Sequence, residues 1–209
     1  MFKTRFLKIK GDWKEVLDDC RATVGKGESK DGPSSSFKTR LLIAEHSPIR
    51  DIIVKWIWDP IMSFVATHWS RHKWECYIRT QRSDRTGVKR DKLPQDAPVS
   101  FTGEANSQNL IDSWRKRLCF QADPVTREHA EDFKAGLHTI EPELSDVLVP
   151  NCVYRCGCPE MKRCGFWELF RSWCETERGI DVRNLGIRRR YDLYNEYFYE
   201  VMWKEKETR

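Results

Sequence analysis

The sequence predicts a helix-dominated α+β protein, a single domain over residues 1–209 with one small sheet, mixed or antiparallel. Apolar residues recur mostly at helical spacing, whereas only two segments alternate in the manner of strands. The one low-complexity stretch, residues 25–36, has the length of a loop and divides no domains. A chain of 209 residues, 39% hydrophobic and 33% charged, is large and apolar enough to bury a core.

The N-terminal half is predicted to contain both strands. Residues 2–10 alternate basic and apolar side chains and are predicted as a strand, followed by a short helix in GDWKEVLDDCRATVG. A second helix, FKTRLLIAEH, precedes the second strand, RDIIVKWIWD. Pro60 then stands where the first residue of a third helix, PIMSFVATHWSRHK, would be, because proline fits the first helical turn.

The C-terminal half is predicted to be mostly helical after a polar loop, RTGVKRDKLPQDAP. A helix over residues 105–122 places Leu110, Trp114 and Leu118 at helical spacing. Asp123 and Pro124 are a cap and a first-turn proline for the helix VTREHAEDFKAGLHTI. A short helical turn begins at residues 141–142, and residues 183–205 form a last amphipathic helix.

The positive charge of the chain is concentrated in one segment, residues 68–90. Its seven Lys and Arg residues against Glu75 and Asp84 give it a net charge equal to the +5 of the whole protein. A localised positive charge on an otherwise neutral protein is typical of a binding site for a single anionic ligand. Arginine in particular binds phosphate through several coplanar N–H donors. Neither GxxxxGK[ST] nor GxGxxG occurs, so side chains would have to hold any phosphate. The alternative is a solvated loop with surface ion pairs.

The residues of this segment carry a resemblance to a known family. FVATHWSRHK followed by IRTQR resembles the signature of the flavin-dependent thymidylate synthases, a helix ending in Gln-x-x-Arg-His-Arg and a loop with Asn-Glu-x-Ser-x-Arg. Upstream, EHSPIRD is similar to the family's His-x-(Ser/Thr)-Pro-x-Glu-His element. Downstream, SDVLVPN resembles Ala-Arg-x-x-Leu-Pro, and GFWELF lies where the family has another flavin-contacting helix. The resemblance covers about residues 10–170.

The resemblance implies a thymidylate-synthase-complementing-protein-like fold and a homotetrameric flavoenzyme of nucleotide biosynthesis. Such a methyltransferase reduces FAD with NADPH and methylates dUMP at C5 to dTMP, with methylenetetrahydrofolate as carbon source. The cofactor-binding residues that it implies are Arg71, His72, Lys73 and Ser47. The substrate-binding residues that it implies are His68, Arg79, Thr80, Gln81, Arg82 and Arg85. No catalytic residue is assigned, since reduced flavin needs no enzymic nucleophile.

Several positions depart from the family pattern. Ile78 and Arg79 replace its Asn-Glu pair, Arg50 and Asp51 replace its Glu-His pair, and Asp146 replaces an arginine. These changes leave open whether the product is dTMP or another modified pyrimidine. They also leave a second hypothesis open, a non-catalytic protein that binds a nucleotide or a nucleic acid on the same scaffold.

A cluster of four cysteines is the other candidate site. Cys152, Cys156, Cys158 and Cys164 lie within a dozen or so residues, and four thiolates so placed could hold zinc or an iron–sulfur cluster. The spacing lacks a Cys-x-x-Cys pair, and we favour a reduced loop packed near the core. No apolar run is long enough to cross a bilayer and no signal-peptide core is evident, so a cytoplasmic location is expected.

Overall fold

A four-stranded antiparallel sheet forms the centre of the fold. The structure, a computed structural model, describes residues 3–204, and the strands of that range are arranged in the order β1-β2-β4-β3. The two long strands β2 and β4 lie in the middle, and the short strand β3 is at one edge. The strands are β1 (Thr4–Lys10), β2 (Ile53–Met62), β3 (Glu75–Ile78) and β4 (Pro98–Asn106).

Alternating side chains direct the central strands towards the core. In β2 the fully buried residues are Val54, Trp56 and Trp58, each two positions from the next. β4 buries Phe101 in the same manner. The register places Gly103 opposite Trp56, and a Cβ added at Gly103 would overlap the Trp56 ring. The pair of strands therefore needs a glycine here to accommodate the indole.

Ten α-helices occur in the described range, residues 3–204. Four of them begin after a side chain that accepts a hydrogen bond from the backbone of the first turn, at Asp12, Ser34, Asn106 and Asp123. The helices are α1 (Trp13–Ala22), α2 (Ser35–Ala44), α3 (Ser63–Trp69), α4 (Ser83–Thr86), α5 (Ser107–Arg117), α6 (Pro124–His138), α7 (Pro142–Asp146), α8 (Asn151–Arg155), α9 (Phe166–Arg178) and α10 (Ile187–Tyr197). Short 3-10 turns are Ser47–Asp51, Arg90–Lys92 and Val182–Asn184, and α10 continues as a π-helix, Phe198–Trp203.

Aromatic residues of the sheet and of three helices fill the core. The ring centroids of Trp114 on α5 and Phe133 on α6 are 4.3 Å apart, and those of Trp58 on β2 and Trp69 on α3 are 4.9 Å apart. The indole N–H of Trp114 donates to the carbonyl of Ala130 at 2.9 Å. Trp69 and Trp114 themselves lie 5.0 Å apart. This packing holds α3 against α5, which positions the basic segment that follows α3.

The fold class predicted from the sequence is confirmed, because helices predominate and the sheet is small and antiparallel. The predicted strands correspond to β1 and β2, and α6 begins at Pro124 after its Asp123 cap as expected. Phe2 and Glu205, at the ends of two predicted elements, lie outside the described residues. No helix of residues 3–204 has both the length and the apolar character needed to span a bilayer.

The predicted position of Pro60 is wrong. Pro60 lies within β2, and α3 begins later, at Ser63. The pairing of β2 with β4 shifts register between Trp58 and Ile61. A proline is tolerated at such an irregularity because it has no N–H to give to the ladder.

The strands β3 and β4 were not predicted from the sequence, and one helix was predicted too long. Residues 105–106 end β4, and α5 runs only from Ser107 to Arg117. β3 is four residues long, and its partner β4 follows about twenty residues later. A strand as short as β3 is defined by pairing with a distant segment, which local periodicity does not report. β4 does alternate, with Val99, Phe101 and Ala105 buried, but this pattern was not recognised in the sequence.

Candidate functional site

An open cavity of about 390 Å³ lies where the segment after α3 meets α5 and α8. A volume of this size is within the range of small-ligand sites. Arg71, His72 and Lys73 form one side of the cavity. The other lining residues come from α5 and α8 and are mostly polar: Asn109, Asp112, Ser113, Arg115, Lys116, Asn151, Tyr154 and Arg155.

The cavity has more positive charge than its own carboxylate balances. Five Lys and Arg side chains line it, against the single carboxylate of Asp112. Within residues 3–204 no carboxylate forms an ion pair with four of these cations, Arg71, Lys73, Lys116 and Arg155. Cations that no carboxylate neutralises create a positive potential in a concave surface, and this potential attracts an anion. The cavity is therefore suited to a ligand with phosphate or a similar anionic group.

The charge of the fifth cation, Arg115, is neutralised by an ion pair within the cavity wall. Its guanidinium forms an ion pair with Glu45, the residue that caps α2, and its Nη1 lies 3.4 Å from Asp112. Burial raises the pKa of the Glu45 carboxyl, but hydrogen bonds from Arg115 and Gln108 outweigh burial, so the pKa is lowered. Glu45 thus stays ionised and neutralises Arg115.

His72 has an unusual electrostatic environment. Arg117 Nε, at the end of α5, donates to His72 Nε2 at 2.8 Å. Burial, together with the charges of Arg117 and Lys116, lowers the pKa of His72 to about 4. The imidazole is therefore neutral at physiological pH. The ring centroid of Trp74 lies 4.9 Å from that of His72.

Two further cavities adjoin the first. One of about 370 Å³ is lined by His68, Phe64 and Gln95 among others and shares Arg71 with the first cavity. His68 is held by a contact of 2.8 Å between its Nδ1 and the Thr126 hydroxyl. A third, of about 300 Å³, adjoins the far side and shares two residues with the first, Lys73 and Asn109. Residues 68–73, at the end of α3 and directly after it, thus border three adjoining cavities.

The predicted substrate loop lies apart from these cavities. It follows β3 on the surface, and its side chains contact one another rather than the cavities: Arg82 forms two hydrogen bonds to Asp84, and Arg85 Nε lies 3.8 Å from the same carboxylate. The Arg82 backbone N–H donates to the Thr80 hydroxyl, and the Arg79 N–H donates to the Ser100 carbonyl. In a single chain, Arg79, Thr80, Gln81, Arg82 and Arg85 line none of the three cavities.

Other predicted positions are also away from the main cavity. Ser47 is exposed at the start of the 3-10 turn Ser47–Asp51, which packs against α5 without lining the cavity. Asp146 lies 3.1 Å from His138 and lines a separate cavity of about 200 Å³ together with Arg188. The structure therefore brings together Arg71, His72 and Lys73, with His68 one cavity away, and does not bring Ser47 to them.

The four clustered cysteines are free thiols. Cys152 is buried on α8, while Cys156 ends that helix with a positive φ of 56° and has its sulfur 3.8 Å from the Arg183 carbonyl. Burial first, and then the nearby Cys119, Cys164 and Cys158, raise the pKa of Cys152 to about 12. In residues 3–204 no three His, Cys, Asp or Glu side chains are arranged to hold a metal ion.

Eight of the eleven residues that line the cavity were not foreseen from the sequence. Lys116 and Arg117 end α5, and Asn151 and Arg155 lie on α8. The basic run of residues 115–117 was a visible signal, but basic residues in the last turn of a helix are common because they complement the helix dipole. Only tertiary packing shows that this turn faces His72.

Comparison with known proteins shows similarity in structure but not in sequence. No family model matches the chain, and no curated protein matches its sequence. Among solved structures, the UMP/dUMP methylase PolB from Streptomyces cacaoi bound with 5-Br dUMP gives a TM-score of 0.56 at 11% identity, covering 69% of this chain and 93% of that chain. With 5-Br UMP bound, the same methylase gives 0.54 at 11% identity, covering 69% and 92%. The chain shares the fold of this methylase.

The shared fold agrees with the thymidylate-synthase-like architecture that the resemblance implied. At 11% identity the likeness concerns the path of the chain and not its side chains. The chemistry of the site therefore has to be argued from the cavity residues. These residues provide unpaired cations, a neutral imidazole and amide groups, which can bind and orient an anionic ligand.

Proposed function

We propose that this protein is an enzyme that methylates the pyrimidine ring of a uridine or deoxyuridine nucleotide. The observation that carries the proposal is the group of four unpaired cations around a neutral His72, in a cavity on this fold. The anionic part of a nucleotide would be attracted by Arg71, Lys73, Lys116 and Arg155. The likeness to a UMP/dUMP methylase supports a uracil nucleotide as the substrate class.

The reaction that we propose in detail is the C5 methylation of dUMP to dTMP, with FAD, NADPH and methylenetetrahydrofolate. The main cavity shares Arg71 with one neighbouring cavity and Lys73 and Asn109 with the other, so a long dinucleotide could extend across them with its anionic centre near the shared cations. When bound, a reduced flavin would supply the hydride that turns the one-carbon unit into methyl. Arg71 and Lys73 would hold its phosphates, and His72 would present a neutral ring to it.

The exposed loop after β3 supports an oligomeric enzyme. Arg79, Thr80, Gln81, Arg82 and Arg85 lie outside the cavities of their own chain. In the proposed homotetramer this loop reaches the cavity of a neighbouring subunit and binds the substrate there. The same arrangement would place the flavin site between subunits, in a cytoplasmic enzyme.

A spectrum and an isotope-release assay test this proposal. We expect the purified protein to be yellow, to release flavin on denaturation, and to release tritium from C5-labelled dUMP. Lys116→Ala and Arg155→Ala should each weaken dUMP binding about tenfold, because each removes an unpaired cation. Lys26→Ala, an exposed cation in the loop of residues 25–36, is the matched control and should bind normally. Absence of tritium release from a flavin-loaded protein would exclude methylation at C5.

The second candidate is a non-catalytic nucleotide- or nucleic-acid-binding protein. The exposed loop favours it, since Arg79 replaces an acid of the family pattern and the adjacent Tyr77 is 63% exposed. A colourless protein that binds no added FAD, yet shows a raised melting temperature with dUMP or an oligonucleotide, would support this function instead. Zinc or an iron–sulfur cluster at the cysteines would appear as stoichiometric metal, with loss of the fold on chelation.

A further inference from the structure

Arg117 links the two ends of the segment that carries the site. Its Nε donates to His72 Nε2 at 2.8 Å, and its Nη2 donates to the backbone carbonyl of His68 at 2.7 Å. Between them lies Trp69, with its ring centroid 5.7 Å from the guanidinium carbon. A half-buried arginine therefore contacts the segment from residue 68 to residue 72 at three points, from a helix that the sequence analysis did not connect with the site.

The bond between Arg117 and His72 defines the protonation of the ring. A guanidinium has only donors and stays charged in proteins, so the nitrogen that it faces has to offer a lone pair. A protonated imidazole has no lone pair to offer. The contact at 2.8 Å is therefore compatible only with a neutral His72 whose hydrogen is on Nδ1.

The charged groups around His72 act in the same direction. Burial is the largest cause of its lowered pKa, followed by the charges of Arg117 and Lys116. The one carboxylate of the cavity, Asp112, lies 3.4 Å from Arg115. The titratable and charged groups that line the cavity with His72 are Arg71 and Lys73 from its own segment, Asp112, Arg115 and Lys116 from α5, and Tyr154 and Arg155 from α8.

We propose that Arg117 is a positioning residue that keeps His72 neutral with its N–H on Nδ1, so that the cavity offers its ligand a fixed hydrogen-bond donor beside the unpaired cations. This inference rests on the proposed function only in taking the cavity as the ligand site. As a consequence, His72 stays uncharged between about pH 5 and pH 8, because its pKa is about 4. The affinity for an anion is then constant over that range as far as His72 is concerned.

Nitrogen-15 NMR of the histidine side chains tests the proposal without any ligand. The His72 signal is assigned by its absence from the spectrum of His72→Gln. In the wild-type protein we expect a neutral ring with N–H on Nδ1 from pH 8 down to about pH 5. A His72 that titrates at its ordinary pKa, or that carries its hydrogen on Nε2, would overturn the proposal.

Two variants of Arg117 separate its charge from its hydrogen bond. Arg117→Gln keeps a donor for Nε2 and loses the charge, so the pKa of His72 should rise part of the way towards its ordinary value, while the lowering due to burial remains. Arg117→Lys keeps the charge, so the pKa should stay low. Lys116→Gln is the matched control, which removes a neighbouring charge and leaves the Nδ1–H form in place. A role for Arg117 in folding alone predicts no change of pKa in Arg117→Gln, and that result would also overturn the proposal.

Binding of inorganic sulfate provides a second readout, since sulfate is a dianion at every pH used. The wild-type protein should bind sulfate equally at pH 5.5 and pH 8. Arg117→Gln should bind it more tightly at the lower pH, because loss of the Arg117 charge raises the pKa of His72 and a larger fraction of the rings is then charged in the cavity. Equal affinity at both values in Arg117→Gln contradicts the inference. If Arg117→Gln does not fold, the wild-type spectrum still decides the form of the ring.

The proposed function and this inference can fail separately. A flavin-free protein without methylase activity would overturn the proposed function, yet an Nδ1–H ring with a low pKa in its spectrum would leave the role of Arg117 intact. A fully active methylase in which His72 titrates normally would do the reverse.

Discussion

Arg115 of α5 lies over the ring of Tyr154 of α8, with its guanidinium carbon 3.7 Å from the ring centroid. The same guanidinium pairs with Glu45 at the end of α2. One side chain therefore joins three helices that are far apart in sequence, and two of them form walls of the candidate cavity. The cation–π contact holds α5 beside α8, and the ion pair holds α5 beside the end of α2.

We expect Arg115→Met to lower the free energy of unfolding by about 1–3 kcal/mol, since it leaves a partly buried Glu45 carboxylate with only Gln108 as partner. Urea unfolding of the single variants and of the double variant with Glu45→Gln measures this coupling. The lowered pKa of Glu45 means that the stabilisation is present above its ordinary pKa of 4.5 and is lost as the pH falls through the folded-state value. Additive effects of the two substitutions would contradict the prediction.

A surface ion pair is the control for this experiment. Arg82 forms two hydrogen bonds to Asp84, but both side chains are more than half exposed. Arg82→Met should therefore change the free energy of unfolding by less than about 1 kcal/mol. A loss as large as that of Arg115→Met would show that burial is not what distinguishes the two pairs.

Gly103, the one glycine in the four described strands, is predicted to be sensitive to substitution. Gly103→Ala would place a methyl group inside the Trp56 ring, and Trp56 is fully buried among other aromatic rings. We expect a loss of about 1–3 kcal/mol from overpacking. Gly157→Ala is the matched control, because no atom lies within 4 Å of a Cβ added there. Thermal unfolding measures both, and an unchanged melting temperature for Gly103→Ala would contradict the packing described.

The part of the site that could be predicted from the sequence is the part encoded locally. Arg71, His72 and Lys73 are consecutive, and their resemblance to a known motif identifies them without knowledge of packing. The cap at Asp123 was predictable for the same reason, since it acts on Thr126, three residues away. Local chemistry is visible in local sequence.

The other eight lining residues of the cavity depend on which helix faces meet. Asn109, Lys116 and Arg155 belong to polar helices whose exposed faces are equally polar, so no periodicity marks the face that turns towards His72. From the sequence, both parts of residues 68–90 were expected to bind a ligand, residues 71–73 the cofactor and residues 79–85 the substrate. In the structure, β3 lies between the cavity residues and the exposed arginines in this stretch and pairs with β4. The arginines after β3 therefore lie apart from the cavity at the end of α3.

Lys134 is predicted to make stability depend on pH. It is fully buried, with its Nζ 2.7 Å from both the Ser145 carbonyl and the Asn195 side-chain oxygen, and burial lowers its pKa to about 7. Between pH 7 and the ordinary pKa of 10.5 the unfolded chain binds this proton more often than the folded one. The free energy of unfolding therefore gains up to about 1.4 kcal/mol per pH unit from this group as the pH rises.

Lys134→Met removes that gain while other titrating groups remain. The stability of the wild-type protein relative to the variant should increase from pH 7 to pH 9.5, measured by urea unfolding at both values. A difference between the two proteins that is the same at both values would mean that Lys134 stays charged in its buried position.

Asp112 is predicted to restrain anion binding, since its carboxylate is the one acidic group among the residues that line the main cavity. Arg115 keeps Glu45 as a partner, so Asp112→Asn should leave the wall intact and raise the net charge of the cavity by one. We expect sulfate and dUMP to bind about threefold to tenfold more tightly at low salt, with the gain falling as salt screens the charges. Asp31→Asn, in the exposed loop before α2, is the control that changes the net charge of the protein equally. Equal gains in both variants would mean that the overall charge, and not the cavity, attracts the anion.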